Sequence, residues 1–124
     1  MSPHQNLTID KRQDIRYPAH RSSILKHNDV QFFTTIINFS ASGVGFLSSD
    51  LLTVGEEVEL LFEVDIEESI IHFNIPIKVV RVTPDEDEFE YNIGALLNKV
   101  TFEYRQLLKK LATMHEEINR HRIL

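Results

Sequence analysis

The chain contains no cysteine, and this absence removes several classes of protein at once. A disulfide framework, thiol catalysis and cysteine-based zinc sites are all excluded. The chain also lacks an apolar N-terminus, since it begins MSPHQNLTID, so no secretory signal is predicted. Its longest apolar-rich stretch, IIHFNIPIKVV, is interrupted by polar residues and is too short to cross a bilayer. We therefore expect a cytoplasmic protein with no membrane insertion.

Motifs for catalysis and metal binding are missing as well. No pair among the 6 histidines has the spacing of a helical zinc motif. Ser40 and Ser42 precede Gly43, but the pattern is not a nucleophile elbow, and no phosphate-loop lysine motif occurs. The sequence thus predicts no enzyme, no metal site and no cofactor.

The charge is unevenly distributed along the chain. The net charge is −6, yet residues 11–27 carry five basic side chains and one acidic one, a local charge of +4. An acidic body argues against a DNA or RNA partner, which would need a basic face. A basic segment on such a body suits a small anionic ligand. The alternative is a solvated basic arm without a ligand.

Most of the chain shows the alternation of half-buried strands. In residues 57–67, apolar side chains from Val58 to Ile66 alternate with acidic ones. A second strand, residues 70–82, changes phase near Val79 and Val80, which predicts a β-bulge. Pro76 falls on its polar face and indicates an edge or a bend. Further strand patterns cover residues 20–28, 31–39, 43–49 and 88–98, the first two flanking a hairpin turn at Asn28-Asp29.

The last segment has helical periodicity. After Val100 there is neither glycine nor proline, and apolar residues from Tyr104 to Ile118 recur on one helical face. Asn98 or Thr101 would cap this helix. Short antiparallel strands predict an all-β dominated fold, a small barrel of about six strands, with the amphipathic helix across an open end or against one side. We expect one domain, comprising an arm at 1–18, a barrel at 19–98 and a helix at 99–124.

Two short motifs identify a resemblance. RQDIR at residues 12–16 and NFSASG at residues 38–43 resemble the RxxxR and [DN]xSxxG motifs of the PilZ domain, in the order and at the separation found in that family. The segments KVVRV and YNIGALL resemble its last two barrel strands, so the resemblance covers roughly residues 11–97. It implies a six-stranded antiparallel β-barrel that binds the bacterial second messenger cyclic di-GMP.

The resemblance also implies which residues bind the ligand. They are Lys11, Arg12, Arg16, Asn38, Ser40 and Gly43. An arginine fork binds phosphate bidentately or lies flat on a guanine. The amide of Asn38 and the hydroxyl of Ser40 are hydrogen-bonding groups for a guanine edge. Gly43 permits close approach and tolerates positive φ.

One departure and one alternative follow. Many relatives carry Asp where this chain has Asn38, and a carboxylate accepts more strongly from guanine N–H groups, so a weaker contact is expected here. Alternatively, the arginines are solvated or paired with the acidic body, NFSASG is only a turn, and the chain is a ligand-independent interaction domain. If the chain binds cyclic di-GMP, we expect a receptor that acts as an adaptor. It would be a monomer or weak dimer that signals to an unidentified downstream protein.

Overall fold

The structure, a computed structural model, describes residues 15–85 and 90–123. It contains the six predicted strands and the predicted helix. Their bounds are β1 Tyr17–His27, β2 Val30–Phe39, β3 Gly43–Ser48, β4 Glu57–Ile66, β5 Ser69–Asp85, β6 Glu90–Leu97 and α1 Phe102–Ile123. Lys11 and Arg12, two of the expected ligand-binding residues, lie outside the described residues.

The strands form a closed antiparallel barrel in the order β1-β2-β3-β6-β5-β4. This confirms the predicted fold class. The inward-facing set of β4, from Val58 to Ile66, is buried, as its alternation predicts. Phe62 links the aromatic core, since its ring stacks on Phe73 at 4.8 Å and meets Phe39 at 5.4 Å. Because β6 lies between β3 and β5, the ring places residues that are far apart in the sequence side by side.

Two tight hairpins have left-handed residues at both central positions. Asn28 and Asp29 have φ values of 52° and 67°, which confirms the predicted turn. Glu67 and Glu68, with φ values of 50° and 65°, join β4 to β5 in the same way. Such turns match the twist of the paired strands, although glutamate is an unusual residue in them.

β5 contains the predicted bulge, and Pro76 lies on the exposed face at a point where the strand pairs on one side only. The pairing of β5 with β6 shifts register between Val79 and Arg81, where the sequence changes phase. Pro76 pairs with Glu59 of β4 and has no paired residue on β6. The strand accommodates this proline because pairing with β6 begins only at the next residue, so its missing N–H is not required by β6. The Pro76 carbonyl accepts from the Asn98 N–H at 3.1 Å.

The seam between β1 and β4 is the shortest in the barrel. Residue pairing there runs only from Ile24–Leu61 to Lys26–Glu59, whereas β4 pairs with β5 along its whole length. Beyond the paired part, Nη1 of Arg21 donates to the Glu63 carbonyl at 2.8 Å. The Arg21 side chain therefore joins β1 to β4 where the backbone pairing has ended.

Helix α1 lies against the barrel from the β2–β3 turn to the β1–β4 seam. Of the two expected caps, Thr101 is the one used, since its Oγ1 accepts from the Tyr104 N–H at 3.2 Å. Tyr104 and Leu107 are buried, and Leu108 and Leu111 are half-buried. Farther along, Lys110 donates to the Asp65 carbonyl, and His115 meets the Tyr17 ring edge-on at 5.9 Å.

The far part of α1 does not pack as the periodicity predicts. Met114 and Ile118 share the apolar face with Leu111, yet they are 46% and 56% exposed. The helix is 22 residues long, about 33 Å, and it extends past the barrel wall that covers its first turns. Among the described residues, no helix combines the length and apolar character needed to span a membrane.

Candidate ligand-binding site

The segment NFSASG forms the turn between β2 and β3, and Ser40 closes it. The Ser40 N–H donates to the Gly43 carbonyl at 3.0 Å, and the Gly43 N–H donates to Ser40 Oγ at 3.0 Å. The Ser40 hydroxyl also donates to the Gly43 carbonyl at 3.3 Å. Ser40 is buried, while Ala41 and Ser42 at the tip are exposed. The Ser40 hydroxyl therefore shapes the turn. Its contact with the ligand stays a prediction.

Helix α1 contributes a second set of bonds to the same turn. The Tyr104 hydroxyl lies 2.7 Å from the Ser40 carbonyl and 3.0 Å from the Gly43 carbonyl. Tyr104 is fully buried, and its ring meets that of Phe39 at 6.2 Å. The turn is thus fixed from within by serine and from below by a tyrosine that is 61 residues away in sequence.

Gly43 is required by close packing between backbones. A Cβ at this position would lie 2.7 Å from the Ala95 carbonyl oxygen of β6. Among the described glycines, a positive φ occurs only at Gly55, so Gly43 is needed for this close approach and not for its φ. The Leu97 N–H also donates to the Ser42 carbonyl at 2.9 Å, which holds the turn against β6.

Pairing of β1 with β2 brings the first motif to the second. Tyr17 pairs with Phe39, and Pro18 pairs with Asn38. Arg16 comes immediately before Tyr17 and is exposed, so it lies at the end of the barrel occupied by the NFSASG turn. The structure thus brings Arg16, Asn38, Ser40 and Gly43 into one region.

A row of four residues crosses the outer face of the barrel next to this turn. Asn38 of β2 pairs with Gly45 of β3, Gly45 pairs with Gly94 of β6, and Gly94 pairs with Arg81 of β5. Their strand neighbours Val44, Phe46, Ile93 and Ala95 are buried, which places the two glycines on the opposite, outward side. We call these four residues the glycine row.

Side chains from both ends of the glycine row extend over its centre. A Cβ at position 45 would lie 2.7 Å from Asn38 Oδ1, and a Cβ at position 94 would lie 3.0 Å from Arg81 Nη2. The amide and the guanidinium therefore occupy the space that side chains at the glycines would fill. These two planar polar groups lie over the buried backbone of Gly45 and Gly94 and form a surface on which a planar ring can lie.

Bulges at both ends orient these polar groups. Register shifts fall between Ile36 and Asn38 on β2 and between Val79 and Arg81 on β5. A bulge rotates the following side chain to the other face of the sheet. Without the shifts, Asn38 and Arg81 would continue the inward-facing sets of Ile36 and Val79.

Sequence reasoning did not find Gly45, Gly94 and Arg81 as members of one site. The phase change in KVVRV indicated a bulge, but it did not show that the arginine would face Gly94. That neighbourhood depends on β6 lying between β3 and β5. Within the described part of the chain, no group of histidine, aspartate and glutamate side chains is arranged to hold a metal ion.

These features agree with one known family. The PilZ domain family model matches residues 10–113, most of the chain. The chain belongs to the PilZ domain family. Proteins with this domain are receptors or adaptors, and no catalytic family is indicated.

Solved structures of other PilZ proteins share the fold. The inhibitor of motility MotI/DgrA from Bacillus subtilis is 19% identical with a TM-score of 0.72, over 87% of this chain and 52% of that one. The PilZ domain of YcgR from Escherichia coli, with c-di-GMP, is 15% identical with a TM-score of 0.63, over 90% and 96%. MrkH from K. pneumonia, in complex with c-di-GMP, is 20% identical with a TM-score of 0.63, over 89% and 54%.

Two of these chains are much longer than the match. This PilZ chain spans about half the length of MotI/DgrA and of MrkH. No curated protein sequence gives a significant match. The structural likeness, at identities of 15% to 20%, therefore shows the fold alone.

Proposed function

We propose that this protein is a receptor for cyclic di-GMP and binds it on the glycine row beside the NFSASG turn. The observation that carries the proposal is the convergence of that turn, Arg16 and the Asn38–Gly45–Gly94–Arg81 row at one place on the barrel. The bound forms of YcgR and MrkH support the choice of ligand, since both are PilZ proteins with c-di-GMP.

In this proposal, arginines bind the phosphates and one guanine. Arg12 and Arg16 come from the segment before β1, and Lys11 adds a third cation beside them. A guanidinium donates two parallel hydrogen bonds to a phosphate, or it matches the O6 and N7 acceptors of guanine. Arg81 brings a further guanidinium from the opposite side of the row, where its plane can stack on a base.

The centre of the row receives the base. Gly45 and Gly94 have no side chains, so the planar groups of Asn38 and Arg81 lie close against the sheet, and a planar guanine can lie on them. Asn38 Oδ1, at one edge of this surface, accepts from a guanine N–H group. Ser40 and Gly43 act by holding the turn in shape, and the exposed tip at Ala41 and Ser42 borders the ligand.

We further propose that the receptor is an adaptor. In this role it would pass an effect on motility, export or assembly to a separate, unidentified protein. We place the receptor in the cytoplasm, with the segment before β1, the barrel and the helix acting as one ligand-responsive domain.

Titration calorimetry with cyclic di-GMP tests the proposal. We expect saturable binding of cyclic di-GMP at micromolar concentration. Cyclic di-AMP should bind much more weakly, because it has the same phosphates but lacks the O6 acceptor and the N2 amino donor of guanine. Absence of heat at high concentrations of cyclic di-GMP would instead support a ligand-independent interaction domain.

Paired arginine variants locate the binding site. Arg81→Lys should weaken binding about tenfold, because it keeps the charge and removes the planar fork. Arg105→Lys is the matched control, since the exposed Arg105 lines a separate groove with Ile66 and Glu67. Equal affinity of the two variants would place the ligand away from the glycine row.

A further inference from the structure

We infer that Tyr104 is a positioning residue for the ligand site and that it makes docking of helix α1 part of ligand binding. The inference rests on the proposed function, because it assigns a role at the same site. It starts from one hydroxyl that lies within hydrogen-bond distance of two carbonyls of the NFSASG turn.

The two carbonyls belong to the residues that define the turn. The Tyr104 hydroxyl lies 2.7 Å from the Ser40 oxygen and 3.0 Å from the Gly43 oxygen. The Gly43 oxygen also accepts from the Ser40 N–H and hydroxyl. A single buried donor shared by both oxygens fixes the distance across the turn, and hence the direction of the exposed tip.

Tyr104 connects the turn to the glycine row on one side and to helix α1 on the other. Phe39 contacts the Tyr104 ring and lies between Asn38 and Ser40 in the chain, so Tyr104 packs against the residue that joins Asn38 to the turn. On the helix side, the first turn is capped at Thr101, and Leu107 is buried one turn after Tyr104. Undocking of this turn would remove the hydroxyl from the carbonyls.

Two sites connected in this way influence each other equally. If helix docking organises the turn for the ligand, the ligand must stabilise the docked helix by the same factor. The proposal therefore predicts effects in both directions, whereas a tyrosine with a purely structural role would lower global stability without changing affinity.

The test compares Tyr104→Phe with two controls. Tyr104→Phe removes only the oxygen and keeps the buried ring. Tyr91→Phe deletes a hydroxyl elsewhere on the barrel, at the end of β6 that pairs with Ser48 and Pro84. Ile77→Val, at a fully buried position of β5, lowers stability without touching the turn.

Amide hydrogen exchange without ligand gives the first measurement. In Tyr104→Phe, the amides of Ser40 and Gly43 should exchange about tenfold faster than in the wild type, while Tyr91→Phe leaves them unchanged. This measurement needs no ligand, so it tests the turn even if the proposed ligand is wrong. Unchanged exchange at both amides would overturn the inference.

Affinity for cyclic di-GMP gives the second measurement. Tyr104→Phe should bind about 3- to 10-fold more weakly, whereas Ile77→Val should bind like the wild type. Saturating ligand should slow exchange in the first turns of α1 in the wild type, and less so in Tyr104→Phe. Wild-type affinity of Tyr104→Phe would overturn the inference, while failure of the wild type to bind would refute the proposed function.

Discussion

Asn38 and Arg81 lie at opposite ends of a row whose two inner members have no side chains. Each extends a planar polar group over a glycine, at distances that leave no room for a Cβ. Neither glycine has a left-handed φ, so glycine is needed here to make room for the neighbouring side chains and not for its own backbone conformation. At this scale the site depends on what is absent at positions 45 and 94.

Substituting two glycines should separate stability from binding. A Cβ at position 43 would meet the backbone oxygen of Ala95 at 2.7 Å, which cannot move independently of β6. Gly43→Ala should therefore lower the free energy of unfolding by about 1–3 kcal/mol. A Cβ at position 94 would lie 3.0 Å from the flexible end of the Arg81 side chain and at an ordinary contact distance of 3.4 Å from its Cβ, so Gly94→Ala should keep wild-type stability and lose affinity.

Urea unfolding and calorimetry on both variants check this prediction. The result contradicting it is a Gly94→Ala protein that is as unstable as Gly43→Ala, because Arg81 would then be fixed in place rather than displaced.

Replacing either arginine of the RxxxR motif by lysine should weaken ligand binding and leave folding unchanged. Arg16→Lys should cost on the order of 1–3 kcal/mol of binding free energy, as lost charge-assisted hydrogen bonds do, and Arg12→Lys should behave similarly. Arg16 is exposed before β1, so the melting temperature without ligand should stay the same. If both lysine variants retain wild-type affinity, the geometry of the fork is irrelevant and only its charge counts.

The sequence revealed these residues unequally. Asn38, Ser40 and Gly43 are local in sequence, and their motif was recognisable there. The sequence did not show why these residue types are needed. Gly43 is needed because the β6 backbone packs against it, and Ser40 is needed because its side chain bonds within the turn. Arg81 needed the strand order before its neighbour across the sheet could be known.

Among the elements, α1 combines two roles. Its first turns complete the core through Tyr104 and Leu107, and the same tyrosine lies against the NFSASG turn. Its later turns carry Met114 and Ile118 into solvent. Periodicity predicted the apolar face correctly but could not show where the barrel beneath it ends.

Truncating the chain before or within α1 should show that only the first turns of the helix stabilise the barrel. Ending the chain after Asn98 removes Tyr104 and Leu107, whose full burial contributes roughly 1.5–3 kcal/mol per large apolar side chain. We expect a lower melting temperature and binding of a hydrophobic dye at the uncovered barrel surface. A control that ends after Glu117 keeps both residues and should melt close to the full chain.

If the protein truncated after Asn98 melted like the full chain, the helix would contribute nothing to the core. That outcome would conflict with the complete burial of Tyr104.

The strands themselves were largely predictable. Strict alternation of apolar and acidic residues identified β4. In β5 the change of phase correctly predicted a bulge. The Glu67-Glu68 turn had no such signal, because glutamate is not a residue that favours left-handed φ. There the flanking strands impose the conformation on the turn.

At the scale of the whole molecule, the proposed ligand is a dianion, whereas the protein has a net charge of −6. Exposed charges farther apart than about 10 Å are largely screened at 0.1 M salt, so the local arginines should dominate. Arg16→Gln should make the affinity for cyclic di-GMP less dependent on salt. Arg105→Gln, which changes the net charge equally, should leave the salt dependence unchanged.

Calorimetry at several salt concentrations checks this. Equal salt dependence in the two variants would mean that the ligand senses the overall charge rather than the cations of its site.

The short seam between β1 and β4 has a consequence for how the ring comes apart. Residue pairs join these strands only from Ile24–Leu61 to Lys26–Glu59, with the Arg21 side chain bridging beyond them. A thermal fluctuation that breaks this line turns the ring into an open sheet with two free edges. At high concentration, the freed edge of β1 in one molecule can pair with β4 of another, so prolonged storage would favour an exchanged dimer built from the contacts of the monomer.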